Sequence, residues 1–368
     1  MKNNSLVDLE NYGQGIWLDY IRRDLFSSGE LKRLIEQDGL TGMTSNPTIF
    51  EKAISGSSDY DAQLRELLEG NPKTPADVLY EKIAIQDIQT AADFFMPVYQ
   101  SKEKGDGYVS LEVSPYLAHD TKGTIEQARR LWATVARPNI MIKVPATKEG
   151  IPAIVTLIGE GININITLMF TMAHYEAVVQ AYIQGLQRAR KPEGIASVAS
   201  FFVSRVDTAV DKALEALGTQ EALDLRGQAA IANSRMVYRR FLEIFEGPTF
   251  TALHKKGARV QRPLWASTGT KNPAYSDVLY VEELAGLNTV DTMPPETLKN
   301  FRDHGIAKKD EVEKGQPQEI LASIDNNVPG GHFCSHSSDG LKGDVTRRDH
   351  APDNFWLVQF LDHVCQRI

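Results

Sequence analysis

Residues 140–145 read IMIKVP, an apolar, β-prone run that places the ammonium of Lys143 near its end. In a strand, alternate residues face opposite sides. The spacing therefore predicts Ile140, Ile142 and Val144 on one face and Met141, Lys143 and Pro145 on the other. Around NINITL the same rule sets Ile162, Ile164, Ile166 and Leu168 against Asn163, Asn165 and Thr167. In SLEVS it sets Leu111 and Val113 against Ser110, Glu112 and Ser114; in IWLD, Ile16 and Leu18 against Trp17 and Asp19. SFFVS pairs Ser200 with Phe202 on one face, and Asn46 follows the run GMTS.

Asp19, Asn46, Glu112, Lys143, Asn165, Thr167 and Ser200 could thus converge from several strands on one cavity. The set contains no His and too few carboxylates for a Mg²⁺ or Zn²⁺ cage, so no metal and no cofactor is expected. An ammonium moved into a poorly hydrated pocket loses solvation and gives up its proton more readily. A neutral lysine is a nucleophile whose natural partner is a carbonyl, and the product is a Schiff base. The protonated imine is an electron sink for breaking or making the adjacent C–C bond, with Glu112 and Asp19 able to shuttle protons. The alternative is that Lys143 is a structural ion-pair partner of Glu112 or Asp19. For a single lysine that alternative would weigh more, but a purely structural cavity would be filled with branched apolar side chains.

A phosphate-handling set lies further on. Arg205 follows SFFVS, Ser267 lies in WASTGTKNP, and Lys271 ends the same loop. Arg and Lys are the usual phosphate clamps, and barrels place phosphates in the loops after late strands. The alternative pairs Arg205 with Asp207 or Glu215 and leaves Lys271 solvated.

The elements that must position these groups are strands alternating with helical patterns. GIWLD, GMTSN, GYVSLEVS, IMIKVP, NINITL, ASVASFFVS, PLWASTG and LNTVDTMP read as strands. Each is followed by a candidate helix, which implies βαβ units and a closed (β/α)₈ barrel. Thr124 with Gln127 resembles a capping box before the stripe Ile125, Ala128, Leu131 and Trp132. Tyr175, Val178, Val179, Tyr182 and Leu186 share one face of the helix after NINITL. Residues 1–305 are expected to form the barrel and 306–368 a C-terminal extension. Much of 306–353 reads as loop, with Phe355, Leu357, Val358, Leu361 and Val364 at helical spacing beyond it.

The sequence has 42% hydrophobic and 24% charged residues and a net charge of −8, ordinary values for a globular chain. An acidic balance argues against nucleic-acid or membrane-surface partners. Its two cysteines, Cys334 and Cys365, form no C-x-x-C pair, which suggests a reducing compartment. His332, Cys334 and His336 lie in a Gly/Ser-rich run and read better as surface loop than as metal ligands. No signal-peptide pattern opens the chain, no apolar run is long enough to span a bilayer, and a cytoplasmic protein is expected. No G-x-G-x-x-G or Walker A pattern points to a nucleotide.

MTSNPTIF, SLEVSP, IMIKVPAT, NINITLMF and ASVASFFVSRVD together resemble the signature segments of transaldolases. The nearest likeness is the longer bacterial subtype, including the one fused to phosphoglucose isomerase, over roughly residues 1–305. The resemblance implies a cofactor-free barrel, monomeric or homodimeric, acting on sugar phosphates in the pentose phosphate pathway. A dihydroxyacetone unit would pass from sedoheptulose 7-phosphate to glyceraldehyde 3-phosphate, giving erythrose 4-phosphate and fructose 6-phosphate. It further implies that Lys143 forms the Schiff base and that Asp19 takes the hydroxyl proton that drives C–C cleavage. Glu112, through a water held by Thr167, would serve carbinolamine formation and loss. Asn46, Asn165 and Ser200 would orient the dihydroxyacetone unit, Phe202 would wall it, and Arg205 and Ser267 would hold the phosphate. Where the family often has an Arg shortly after the strand-7 serine, this chain has Gly269, and Lys271 would take over the contact. The rivals are a fructose-6-phosphate aldolase, which typically carries Gln and Tyr where this chain has Glu112 and Phe202, and a catalytically silent sugar-phosphate-binding barrel.

Overall fold

The computed structural model describes residues 4–328. Eight parallel strands close into a barrel in sequence order: β1 (Gln14–Asp19), β2 (Gly42–Thr44), β3 (Tyr108–Glu112), β4 (Ile140–Pro145), β5 (Ile164–Met169), β6 (Ser197–Phe202), β7 (Arg262–Ala266) and β8 (Thr289–Met293). Every run read as a strand overlaps one of these, and the (β/α)₈ expectation holds. The main core lies between the outer face of the barrel and its helices. Ile140, Ile142 and Val144 on β4 and Tyr175, Val178, Val179 and Tyr182 on the helix Met172–Arg188 are all fully buried there. β-branched residues suit the pleated wall, and the helix supplies an apolar stripe of matching width.

The base of the barrel is sealed by a polar plug. The Trp17 indole donates to Asp106 at 2.8 Å, and Asp106 pairs with Arg262 at 3.0 Å. Two glycines make room for it. A Cβ on Gly42 would stand 2.5 Å from the Trp17 ring, and one on Gly15 would stand 2.6 Å from the Asp106 carboxylate. Among the described residues the bottom is thus filled, which leaves the C-terminal end, where barrel sites are built.

Three local expectations are corrected. The helix Thr121–Val135 starts before Thr124. Its cap is Asp120, which accepts from the Gly123 N–H at 3.0 Å. Thr124 instead donates to the Leu117 carbonyl, and the Gln127 amide oxygen accepts from the Ser114 N–H at 2.7 Å, tying the helix to the end of β3. The simple alternation through Leu168 also fails. Leu168 has φ +65°, and the pairing of β5 with β6 slips between Ile166 and Met169. Such a bulge re-aims side chains at a strand end. Finally, part of the stretch read as loop after residue 306 is a helix, Pro317–Asn327, which buries Leu321 and Ile324 and packs on the helix Ala229–Phe245. The readings at Cys334, His332 and His336, and at 355–364, lie outside the described residues.

Candidate active site

The inward side chains of β1 to β6 meet at the open end. Glu112 and Lys143 are opposite one another in the β3–β4 register, and Lys143 is in turn opposite Asn165 on β5. The Lys143 Nζ lies 3.2 Å from the Glu112 carboxylate and donates to the Ser45 carbonyl at 3.3 Å. Lys143 is only 6% exposed. Ser45 is fixed in its turn, since its hydroxyl donates to the Ser110 carbonyl at 2.8 Å. The ammonium is therefore held by one carboxylate and one main-chain oxygen, with little water around it.

A second line of bonds crosses the floor of the site. Ser200 donates to Asn165 Oδ1 at 2.6 Å, and Asn165 Nδ2 donates to the Ser110 hydroxyl at 3.0 Å. Asn165 is thus locked in one orientation from both sides, and a satisfied buried network of this kind rigidifies its members. Thr167, one step up β5, is also buried.

Asp19 ends β1. Thr44 donates to its carboxylate at 2.6 Å, and the Thr44 hydroxyl also lies 2.7 Å from that of Thr292 on β8. Asp19 touches the open mouth, but protein atoms surround it closely. That burial raises its carboxyl above the ordinary range. The charge of Lys143, the Thr44 bond, and then the charges of Arg205 and Lys271 pull it back down. Both candidate phosphate-clamp cations thus act on the same carboxylate as the candidate nucleophile.

The rim holds the remaining groups. Asn46 lies just beyond β2 and caps the helix Pro47–Ser55, accepting from the Ile49 N–H at 3.0 Å. Phe202 closes β6, its ring 5.3 Å from that of Phe170, and the Arg205 guanidinium sits over the Phe202 ring, 5.0 Å from its centre. The partners considered for Arg205 are engaged elsewhere: Asp207 with Tyr280 and the Ala230 N–H, Glu215 with Arg226. Ser267 has φ +58°, and its hydroxyl lies 2.9 Å from that of Ser204. Lys271 is exposed on the loop beyond, the outermost of the set.

Sequence reasoning had missed Thr44, Thr292 and the Ser45 carbonyl. The signal for Thr44 was present, as it is the inward residue next to the end of a strand already recognised. Thr292 had none beyond being the one polar residue on the inward face of β8. Among the described residues, no group of three His, Cys, Asp or Glu could hold a metal ion, and no helix is long and apolar enough to cross a membrane.

Comparison with known proteins places this geometry in context. The family model described as "Transaldolase/Fructose-6-phosphate aldolase" matches residues 16–329. A Mycobacterium marinum protein named transaldolase is 46% identical over 331 residues, covering 88% of each chain. One of that name from Thiobacillus denitrificans is 49% identical over 308 residues, covering 82% of this chain and 85% of the relative. Another from Mycobacterium tuberculosis is 46% identical over 316 residues, covering 84% of both.

Proposed function

Since the chain belongs to the transaldolase/fructose-6-phosphate aldolase family, we propose that its barrel transfers a dihydroxyacetone unit between sugar phosphates through a Schiff base on Lys143. The observation that carries this reading is the buried Lys143–Glu112 pair at 3.2 Å, set beside the separate carboxylate of Asp19. One carboxylate serves the nitrogen and the other serves the sugar.

In this reading the Lys143 amine adds to the C2 carbonyl of sedoheptulose 7-phosphate. The resulting carbinolamine loses its hydroxyl as water, and Glu112, working through a water held by Thr167, supplies the proton. Asp19 then takes the proton of the C4 hydroxyl. The C3–C4 bond breaks, its electron pair flows into the iminium, and erythrose 4-phosphate leaves. The enamine attacks the aldehyde carbon of glyceraldehyde 3-phosphate, Asp19 returns the proton to the new hydroxyl, and hydrolysis frees fructose 6-phosphate. Proton transfer by positioned groups of this kind is worth about 10²–10⁴-fold per group.

Asn165, fixed by Ser200 and Ser110, would hold the hydroxyls of the three-carbon unit. Asn46 would help with its amide nitrogen, since its oxygen is committed to the helix cap. Phe202 would wall the retained unit. Arg205, Ser267 and Lys271 would bind the phosphate, Arg205 with its plane already set by the Phe202 ring. The setting expected is the pentose phosphate pathway in the cytoplasm, with the enzyme a monomer or homodimer.

Glu112 and Phe202 favour transfer over simple cleavage. The deciding experiment follows the three-carbon unit. Fructose 6-phosphate alone should release little free dihydroxyacetone, and adding erythrose 4-phosphate should produce sedoheptulose 7-phosphate at full rate. Rapid dihydroxyacetone release without an acceptor would make the enzyme an aldolase. Silence under both conditions would make the barrel a binding protein.

A further inference from the structure

We propose that Asp207 and Asp211 are positioning residues for the phosphate end of the substrate, locking the segment that carries Ser267 and Lys271 to the helix that carries Arg205. The proposal rests on the phosphate assignment made above and adds a support that lies outside the site itself.

The helix Ser204–Leu217 follows β6 and holds Arg205 in its first turn. Asp207 and Asp211 lie one turn apart on its inner face, 1% and 6% exposed. Their two carboxylates are bound in the same way. Asp207 accepts from the Ala230 N–H at 2.7 Å and from the Tyr280 hydroxyl at 2.8 Å. Asp211 accepts from the Gly227 N–H at 2.9 Å and from the Tyr275 hydroxyl at 2.7 Å. One oxygen of each thus holds the 227–230 segment, and the other holds the segment that leads on from Lys271.

That segment is tied down at both ends. At its start, the Ser204 N–H donates to the Ser267 carbonyl at 3.1 Å, and the two serine hydroxyls lie 2.9 Å apart. Between the ends, Thr270 donates to the Ser276 carbonyl at 2.9 Å and folds residues 270–276 into a compact turn that presents Lys271. Tyr275 and Tyr280 then fasten the far end. The Tyr275 ring lies against Gly227, where φ is +72° and a Cβ would come within 3.0 Å of the ring. Glycine at 227 thus admits both the backbone turn and the tyrosine.

Buried carboxylates are a costly way to hold a loop against a helix. Burial is the largest influence on both groups, raising Asp207 to about 7 and Asp211 in the same direction. Apolar residues of the same size would serve stability as well or better. They would not fix direction, because apolar contact is non-directional and hydrogen bonds are not. The segment from 271 to 277 is polar and largely exposed. Its end is also tied at Asp277, which accepts from the Asn300 amide at 2.8 Å and lies 2.9 Å from His304, whereas the two tyrosines are what join it to the helix that carries Arg205.

The test compares two acceptors with fructose 6-phosphate as donor: erythrose 4-phosphate and unphosphorylated erythrose. The readout is the ratio of their kcat/KM values. Tyr275→Phe and Tyr280→Phe each remove one hydroxyl and keep the ring, and thermal melting confirms that each variant is folded. Each should lower the ratio roughly tenfold, mainly by raising KM for the phosphorylated acceptor, with kcat within about twofold of wild type. Arg205→Ala is measured alongside. If it lowers the ratio and neither tyrosine variant does, the lock has no positioning role and the phosphate assignment stands. If Arg205→Ala also leaves the ratio unchanged, the phosphate assignment itself has failed and the proposal falls with it. A drop in melting temperature with an unchanged ratio would make the lock structural only, which overturns the proposal. A wild-type enzyme that uses neither acceptor would remove the functional reading and this inference together.

Discussion

Glu112 and Lys143 face each other directly across β3 and β4, with the carboxylate 3.2 Å from the ammonium. The strand register, rather than a loop, sets the two Cα positions opposite each other, so the backbone holds the side chains within reach. An acid/base held this close to an amine is available at every step in which the nitrogen gains or loses a proton.

Glu112→Gln keeps the size and removes the proton acceptor. We expect kcat to fall by about 10²–10³-fold with the fold intact. The loss should appear as slow adduct formation with fructose 6-phosphate in a rapid-quench experiment. Adduct formation at the wild-type rate would take Glu112 out of the proton relay.

Asp19→Asn should separate the two halves of the reaction. Adduct formation on Lys143 should persist while release of the aldose phosphate slows by about 10²–10⁴-fold. With Asp19 as the proposed base, kcat in the wild type should rise with pH through its carboxyl pKa. Burial raises that value, so the acid limb should lie above the ordinary carboxylate range near 3.9. The variant should lack this limb, and an unchanged pH profile would assign the base elsewhere.

Thr44→Val provides a finer probe of the same carboxylate. The Thr44 hydroxyl favours the ionised form of Asp19. Removing it should raise the Asp19 pKa further and move the acid limb of kcat to higher pH, leaving the alkaline side unmoved. A limb that stays in place would show that the bond does not tune Asp19.

Asp291 lies on the outer wall of β8, fully buried, with Thr268 donating to one oxygen at 2.8 Å and, among the described residues, no hydrogen-bond partner for the other. Burial holds its carboxyl up at about 7, against about 3.9 in an unfolded chain. Between those values the native state keeps a proton that the unfolded chain has released. Its stabilising contribution is therefore full below about pH 4 and is lost as pH rises towards 7. Asp291→Asn cannot ionise, so its stability relative to wild type should improve across that range, by at most about 1.4 kcal/mol per pH unit. Urea unfolding at pH 5 and pH 7.5 measures the difference. Parallel curves for the two proteins would contradict a neutral Asp291.

The barrel could be read from the sequence because most strands are short apolar runs bounded by turn residues, and this pattern is local. Lys143, Glu112, Asn165 and Ser200 could be read because alternation alone assigns them to the inward face. What escaped depends on contacts distant in the chain. Thr44 and Thr292 are 248 positions apart, and Asp207 and Tyr280 are 73 apart. No periodicity predicts either pair. The helix Pro317–Asn327 escaped for a related reason. Few of its residues are apolar, and Leu321 and Ile324 gain their burial from packing on another helix. At Leu168 the bulge overrode an alternation that was otherwise reliable.

The most direct test of the central claim is chemical trapping. The protein is incubated with fructose 6-phosphate, reduced with borohydride and digested, and the modified peptide is located by mass spectrometry. The account predicts a stable dihydroxyacetone adduct on Lys143 alone, absent from Lys143→Ala. An unmodified Lys143, under conditions that trap a control transaldolase, would contradict it and leave the Lys143–Glu112 pair as a structural ion pair within the barrel.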